Sequence, residues 1–185
     1  MRRYEMSLSG GVKLLSAVVS ALVLAVPLLV WGVVPGIRLS PGAEVARWAV
    51  AVLPLVILVS WGLSPKAIEL EGGELRILRR AWRAAGYRLA EVEVVTPLPP
   101  RWLLGAVRTF GNGGLFGFYG WYFKGGPFRL FATRSRDLVE VRVGGRRVVV
   151  SPDEPERFVE GLLAAAPRAR RGQAAGGAAS ASTRS

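Results

Sequence analysis

Few side chains in this sequence can do covalent or acid–base chemistry, and the missing types narrow the field first. The 185 residues include no cysteine and no histidine. That removes the usual zinc ligands, disulfides, the Ser-His and Cys-His nucleophile pairs and the commonest general base. An enzyme would have to work with carboxylates such as Asp137, Asp153 or Glu156. Ser151 and Asp153 already have a structural use, as N-cap residues with Glu154 or Glu156 three positions on. The chain therefore reads as a non-enzymatic protein with no cofactor and no metal centre.

The stretch "RTFGNGGLFGFYGWYF", Arg108 to Phe123, sets five glycines among seven aromatic residues and invites comparison with phosphate-binding loops. A P-loop needs a lysine directly after its glycines, and here the next lysine is Lys124. The dinucleotide fingerprint begins at Gly111-Asn112-Gly113, but Phe116 occupies the place of its third glycine. An aromatic strand also follows where a helix N-terminus should face the anion. The glycines are thus expected to be structural. Gly111 leads into Asn112, Gly113 and Gly114, which provide positive φ for a turn or bulge, while Gly117 and Gly120 let a sharply curved strand pass close to a neighbour. Phe116, Phe118 and Tyr122 should lie on one side of that strand, and Tyr119, Trp121 and Phe123 on the other.

A second group, "LRRAWRAAGYR", sets Arg79, Arg80 and Arg83 around Trp82, and these four are the candidate contacts for a lipid or a partner. The net charge of +12 raises the question of nucleic acid. The arginines are scattered along alternating segments, and there is no recognition helix or zinc spacing, so nucleic acid is not the expected partner. A positive balance suits contact with an anionic leaflet. The proline-rich "PLPPRW", Pro97 to Trp102, reads as a connecting loop.

The elements that would hold these residues begin in a membrane. Leu14 to Val34 is a run of 21 residues without a charge, and Val45 to Leu63 carries only Arg47. At about 1.5 Å per residue each reads as a span. Residues 35–44 form a short external connector. Arg2, Arg3, Lys13, Lys66, Arg76, Arg79, Arg80 and Arg83 flank the spans on the terminal sides, against Arg38 and Arg47 at the connector. Eight against two puts both termini, including segment 1–13, in the cytoplasm. The expected location is the cytoplasmic membrane, multi-pass.

After Pro65 the pattern changes to short alternating runs broken by glycine and proline, the signature of an antiparallel all-β domain of about seven strands. "AIELEGGELRIL" is a hairpin, and "DLVEVRV" alternates as a half-buried strand should. "SPDEPERFVEGLLAAA" is an amphipathic helix with Phe158, Val159, Leu162, Leu163 and Ala166 on its apolar face. Residues 167–185 read as a disordered tail of Ala, Gly, Ser and Arg.

The segments "RTFGNGGLFGFYGWY", "FRLFATRS" and "VVVSPDEPERFVEGL", with the strands and final helix around them, resemble the bacterial PH-like domain family, often found behind two membrane spans. The resemblance covers about residues 65–166. It implies a pleckstrin-homology-like split barrel capped by one C-terminal helix, and it implies no catalytic activity. Lipid-binding members of the wider superfamily place lysine and arginine in the turn between the first two strands. Here that turn is Glu71-Gly72-Gly73-Glu74. The expected function is a membrane-anchored binding or scaffold module for a protein partner or a second copy of itself, with anionic-lipid binding as the alternative.

Overall fold

The uncharged run near the start of the chain folds as one helix. The structure, a computed structural model, describes residues 2–33 and 41–173. Helix α1 (Gly10–Val33) contains Pro27. Within it, Gly10–Gly32 contains an 18-residue window of mean hydropathy 2.5 and is the one described helix long and apolar enough to cross a membrane. Its leucines, Leu14, Leu22 and Leu28 among them, are left uncovered by the rest of the protein.

The second expected span is not a single helix of span length. Helices α2 (Pro41–Ala51) and α3 (Leu53–Leu63) meet at Val52, and the apolar helical stretch Trp48–Leu63 falls short of a full crossing. Pro54 is the physical cause, since its nitrogen has no hydrogen to continue the ladder. The Val52 amide closes a tighter turn onto the Ala49 carbonyl at 3.2 Å, and the Val52 carbonyl accepts from both Leu55 and Val56. The segment still packs along α1, and the rings of Trp31 and Trp48 meet edge to face at 5.0 Å. Of the expected connector, residues 34–40 lie outside the described residues, and Pro41 to Glu44 form the first turn of α2.

The β domain is larger than the seven antiparallel strands expected. Strand β1 (Arg2–Glu5) precedes α1. After α3 come β2 (Pro65–Glu71), β3 (Glu74–Arg79), β4 (Ala85–Arg88) and β5 (Val92–Pro97). They are followed by β6 (Val107–Gly114), β7 (Gly117–Phe123), β8 (Pro127–Ala132), β9 (Val139–Val143) and β10 (Arg146–Val150). Helix α4 (Pro155–Ala165) and a two-residue strand β11 (Arg170–Arg171) complete the described chain. One sheet has the order β1-β2-β3-β4, the other β11-β5-β9-β10-β8-β7-β6. Two pairs are parallel, β10 with β8 and β11 with β5. The first arises because the chain leaves β8 and skips one position to start β9, and the Gly144-Gly145 hairpin then lays β10 in the gap.

Two strands extend the domain past its expected limits of 65 and 166. Strand β1 pairs antiparallel with β2 from Arg2↔Leu70 to Glu5↔Ala67. Residues 167–173 were expected to be disordered, but β11 lies along β5, and the Gly172 amide donates to the Val95 carbonyl at 2.9 Å. The rest of that tail, 174–185, lies outside the described residues.

The core forms in two layers because the seven-stranded sheet is covered on both faces. Val148 and Val150 point between the two sheets with Ile68, Ile77, Val141 and, from α4, Phe158 and Leu162. Val149 points the other way with Phe128, Leu130 and Leu138, and this second layer is covered by Leu98, Trp102 and Leu103 of the β5–β6 loop. The proline-rich segment is thus a connecting loop with a packing role. Trp102 meets Phe128 at 5.2 Å, and the Lys124 ammonium donates to the Trp102 and Leu104 carbonyls.

Candidate functional site

The glycine-aromatic motif folds as the β6–β7 hairpin, and its turn is not where the glycines predict it. Asn112, Gly113 and Gly114 belong to β6, and the reversal falls at Leu115-Phe116, with Phe116 at φ +56°. The glycines serve close approach within the strands. Gly111 and Gly120 are cross-strand partners, Gly114 faces Gly117, and all four have positive φ. Asn112 stitches the end of the hairpin: its amide donates to the Leu115 carbonyl at 2.7 Å and to the Tyr119 hydroxyl at 3.0 Å.

The hairpin docks on the helices. Its Phe116 amide donates to Ser16 Oγ of α1 at 2.8 Å, and the Tyr119 hydroxyl donates to the Ser60 carbonyl of α3 at 2.6 Å. The expected alternation along β7 holds: Phe118 and Tyr122 turn to the second core layer, while Trp121 and Phe123 stay exposed on the opposite face. Phe110 and Val107, paired with Trp121 and Phe123, extend that exposed apolar face.

The basic candidates do not form one patch. Arg80 is tied to the end of α3, its Nε donating to Ser64 Oγ at 3.0 Å, while the next amide, Ala81, donates to the Gly62 carbonyl. Trp82 and Arg83 lie exposed on the loop beyond. Arg79 turns inward instead, with its guanidinium 5.5 Å from the centre of the Phe131 ring. Burial, and then repulsion from Arg129, push its pKa below the ordinary arginine value.

Ser151 and Asp153 are not helix caps. The N-cap of α4 is Glu154, with no side-chain cap bond. Ser151 Oγ instead accepts from the Thr133 amide at 2.8 Å. The Asp153 carboxylate accepts from the Ser7 amide and hydroxyl at 2.9 and 2.6 Å, and from Arg134 at 3.0 Å. Three residues distant in the chain compete successfully for these side chains, which is why local capping fails to form.

Sequence reasoning did not single out Arg129, Arg146 and Tyr87, which the fold brings beside Arg79. Arg129 stacks over Trp121 at 5.7 Å and Phe131 at 5.1 Å. Burial pushes the Tyr87 phenol up, against the opposing pull of the Arg129, Arg79 and Arg146 guanidiniums. A local signal existed: in "FRLFATR", Arg129 and Phe131 share a strand face, which sets a guanidinium beside an aromatic ring.

Comparison with known proteins adds the family. A family model described as Bacterial PH domain matches residues 66–166. No curated protein and no solved structure matches the chain. With more than half of its length covered by that model, and with the two-sheet domain and final helix in place around it, the chain belongs to the bacterial PH domain family.

Proposed function

We propose that this protein is a membrane-anchored, non-enzymatic binding module whose two apolar segments form a hairpin in the cytoplasmic membrane. The carrying observation is the pairing of β1 with β2. Residues before α1 and after α3 join one sheet, which requires an even number of crossings between them. The charge asymmetry across the spans supports a cytoplasmic position for that sheet. On this reading α2 and α3 together make the return crossing, bent at Val52.

Strand β6 is the surface offered to a protein partner. It is the edge of the larger sheet, and no described strand pairs with its outer side. Val107 and Phe110 on it are 62% and 76% exposed, which marks the strand as open to addition by another chain. In the groove between α4 and the sheets, Tyr4 of β1 packs against Phe158.

A photo-crosslinking residue at Thr109, introduced in cells, tests this. A defined adduct is expected from Thr109 and none from Arg83. An adduct of twice the chain mass identifies a second copy as the partner. If Thr109 gives no adduct, the edge is not the binding surface.

A further inference from the structure

The two sheets part beside the end of α3, and the opening is cationic with aromatic walls. Two adjoining cavities, of about 150 and 280 Å³, share Trp121 and Arg129. The smaller reaches Leu63 of α3 and Arg79; the larger holds Tyr87 and Arg146. Among the described residues, no aspartate or glutamate lines either one.

Some arginines of this molecule are paired and others are not, and Arg147, which also borders the larger cavity, is held by Glu140. Arg3, Arg134, Arg142, Arg147, Arg157 and Arg171 each have a carboxylate partner. Arg79, Arg129 and Arg146 have none among the described residues, although Arg79 and Arg129 repel each other at close quarters. Arg79 Nε is buried without a hydrogen-bond partner, and the buried Tyr87 hydroxyl, beside the Arg129 guanidinium, has no acceptor for its proton. Buried donors and like charges left together in this way cost stability unless an acceptor-rich anion joins them. A phosphate supplies that charge and several acceptor oxygens, and guanidinium forks match it.

We propose that this cleft binds the phosphate of an anionic phospholipid, held by Arg79, Arg129 and Arg146 with the Tyr87 hydroxyl as a further donor. The lipid source follows from position. The cleft opens at Leu63, where α3 ends, and the uncovered rings of Phe110 and Trp121 stand at its mouth to meet the glycerol and acyl region. The choice of a lipid rests on the membrane-anchored reading; the affinity for phosphate does not. The site is separate from the acidic Glu71–Glu74 turn and from the exposed Trp82-Arg83 loop.

Titration calorimetry on the full chain in neutral detergent tests the proposal with three soluble probes: dihexanoyl phosphatidylglycerol, dihexanoyl phosphatidylcholine and inorganic phosphate. The phosphatidylglycerol should bind at least about tenfold more tightly than either of the others. Arg129→Ala and Arg146→Ala should each weaken it about tenfold or more, the usual effect of losing one charged hydrogen bond. Arg129→Lys should retain part of the affinity. Arg146→Ala should leave the melting temperature of the lipid-free protein unchanged, because no carboxylate loses its partner, whereas Arg129→Ala also gives up its stacking on Trp121 and Phe131.

Inorganic phosphate binding as tightly as the lipid would make this a free-anion site and overturn the lipid assignment. Competition by a glutamate-rich peptide at equal strength would overturn it in favour of an acidic protein segment. Unchanged binding in the alanine variants would remove the arginines from the site. Alkaline extraction of the same membranes tests the anchor separately: release of the chain would end the anchored reading and leave the phosphate affinity to stand or fall alone.

Discussion

Gly111 and Gly120 face each other across the β6–β7 hairpin with φ of +113° and +128°, and a Cβ built on either would fall 2.7 Å from the Cα of the other. Two backbones meet there with no room for a side chain. The motif therefore brings β6 and β7 close enough to seat Phe116 on Ser16 and Tyr119 on Ser60, and so fixes the domain to its helices.

Gly120→Val should disrupt the domain. Unfavourable φ costs about 1–3 kcal/mol and overpacking a similar amount. Gly145→Ala, at a turn where a Cβ meets nothing within 4 Å, should cost only about 1–2 kcal/mol from its φ of +71°. Urea unfolding of the full chain in detergent measures both. Equal effects would mean that crowding at Gly120 is relieved elsewhere.

Tyr4 is expected to behave as a core residue of the β domain although it lies before the first apolar helix. It is 8% exposed and meets Phe158 edge to face at 5.3 Å. Tyr4→Ala should destabilise the domain by about 3–5 kcal/mol, as for a buried aromatic. Asp153→Ala should add a smaller loss by releasing Ser7. A domain that melts normally without Tyr4 would show that β1 is an accessory strand.

Glu140 provides a pH test. Burial alone pushes its carboxyl up, but hydrogen bonds from Arg147 and Arg142 outweigh that, and its pKa in the folded protein is below the ordinary 4.5. A depressed carboxylate pKa contributes stability that is fully present above the unfolded value and is lost as pH falls through the folded one. Glu140→Gln should thus cost about 1–3 kcal/mol at pH 7, and the gap from wild type should shrink as pH falls below about 4.5. A gap that persists unchanged into acid would mean that the arginines bind glutamine equally well.

Both chain ends should report from the cytoplasm. Reporters active only inside, or only outside, fused at Met1 and at Ser185 measure this directly. Opposite locations for the two ends would be incompatible with β1 pairing to β2 in one sheet.

Local pattern alone was enough for several features. The uncharged run that became α1, the alternation that became β2, β3 and β9, and the apolar face of α4 all follow from periods of 2 and 3.6 along contiguous residues. The family was legible for the same reason, because its motifs are contiguous. Other features depend on residues far apart in sequence, and only the folded chain decided them. Strand β1 is too short to announce itself and exists because β2, more than 60 positions later, offers an edge. Asp153 sits at a capping position yet bonds Ser7 and Arg134, since partners brought close by the fold outcompete the local amide. The break at Val52 depends on how one proline is accommodated beside α1. The arginine cleft draws Arg79, Tyr87, Arg129 and Arg146 from four strands of two sheets. Nothing in the spacing of those four residues relates them, because sheet order, which is set by long-range pairing and burial, determines which strand ends meet.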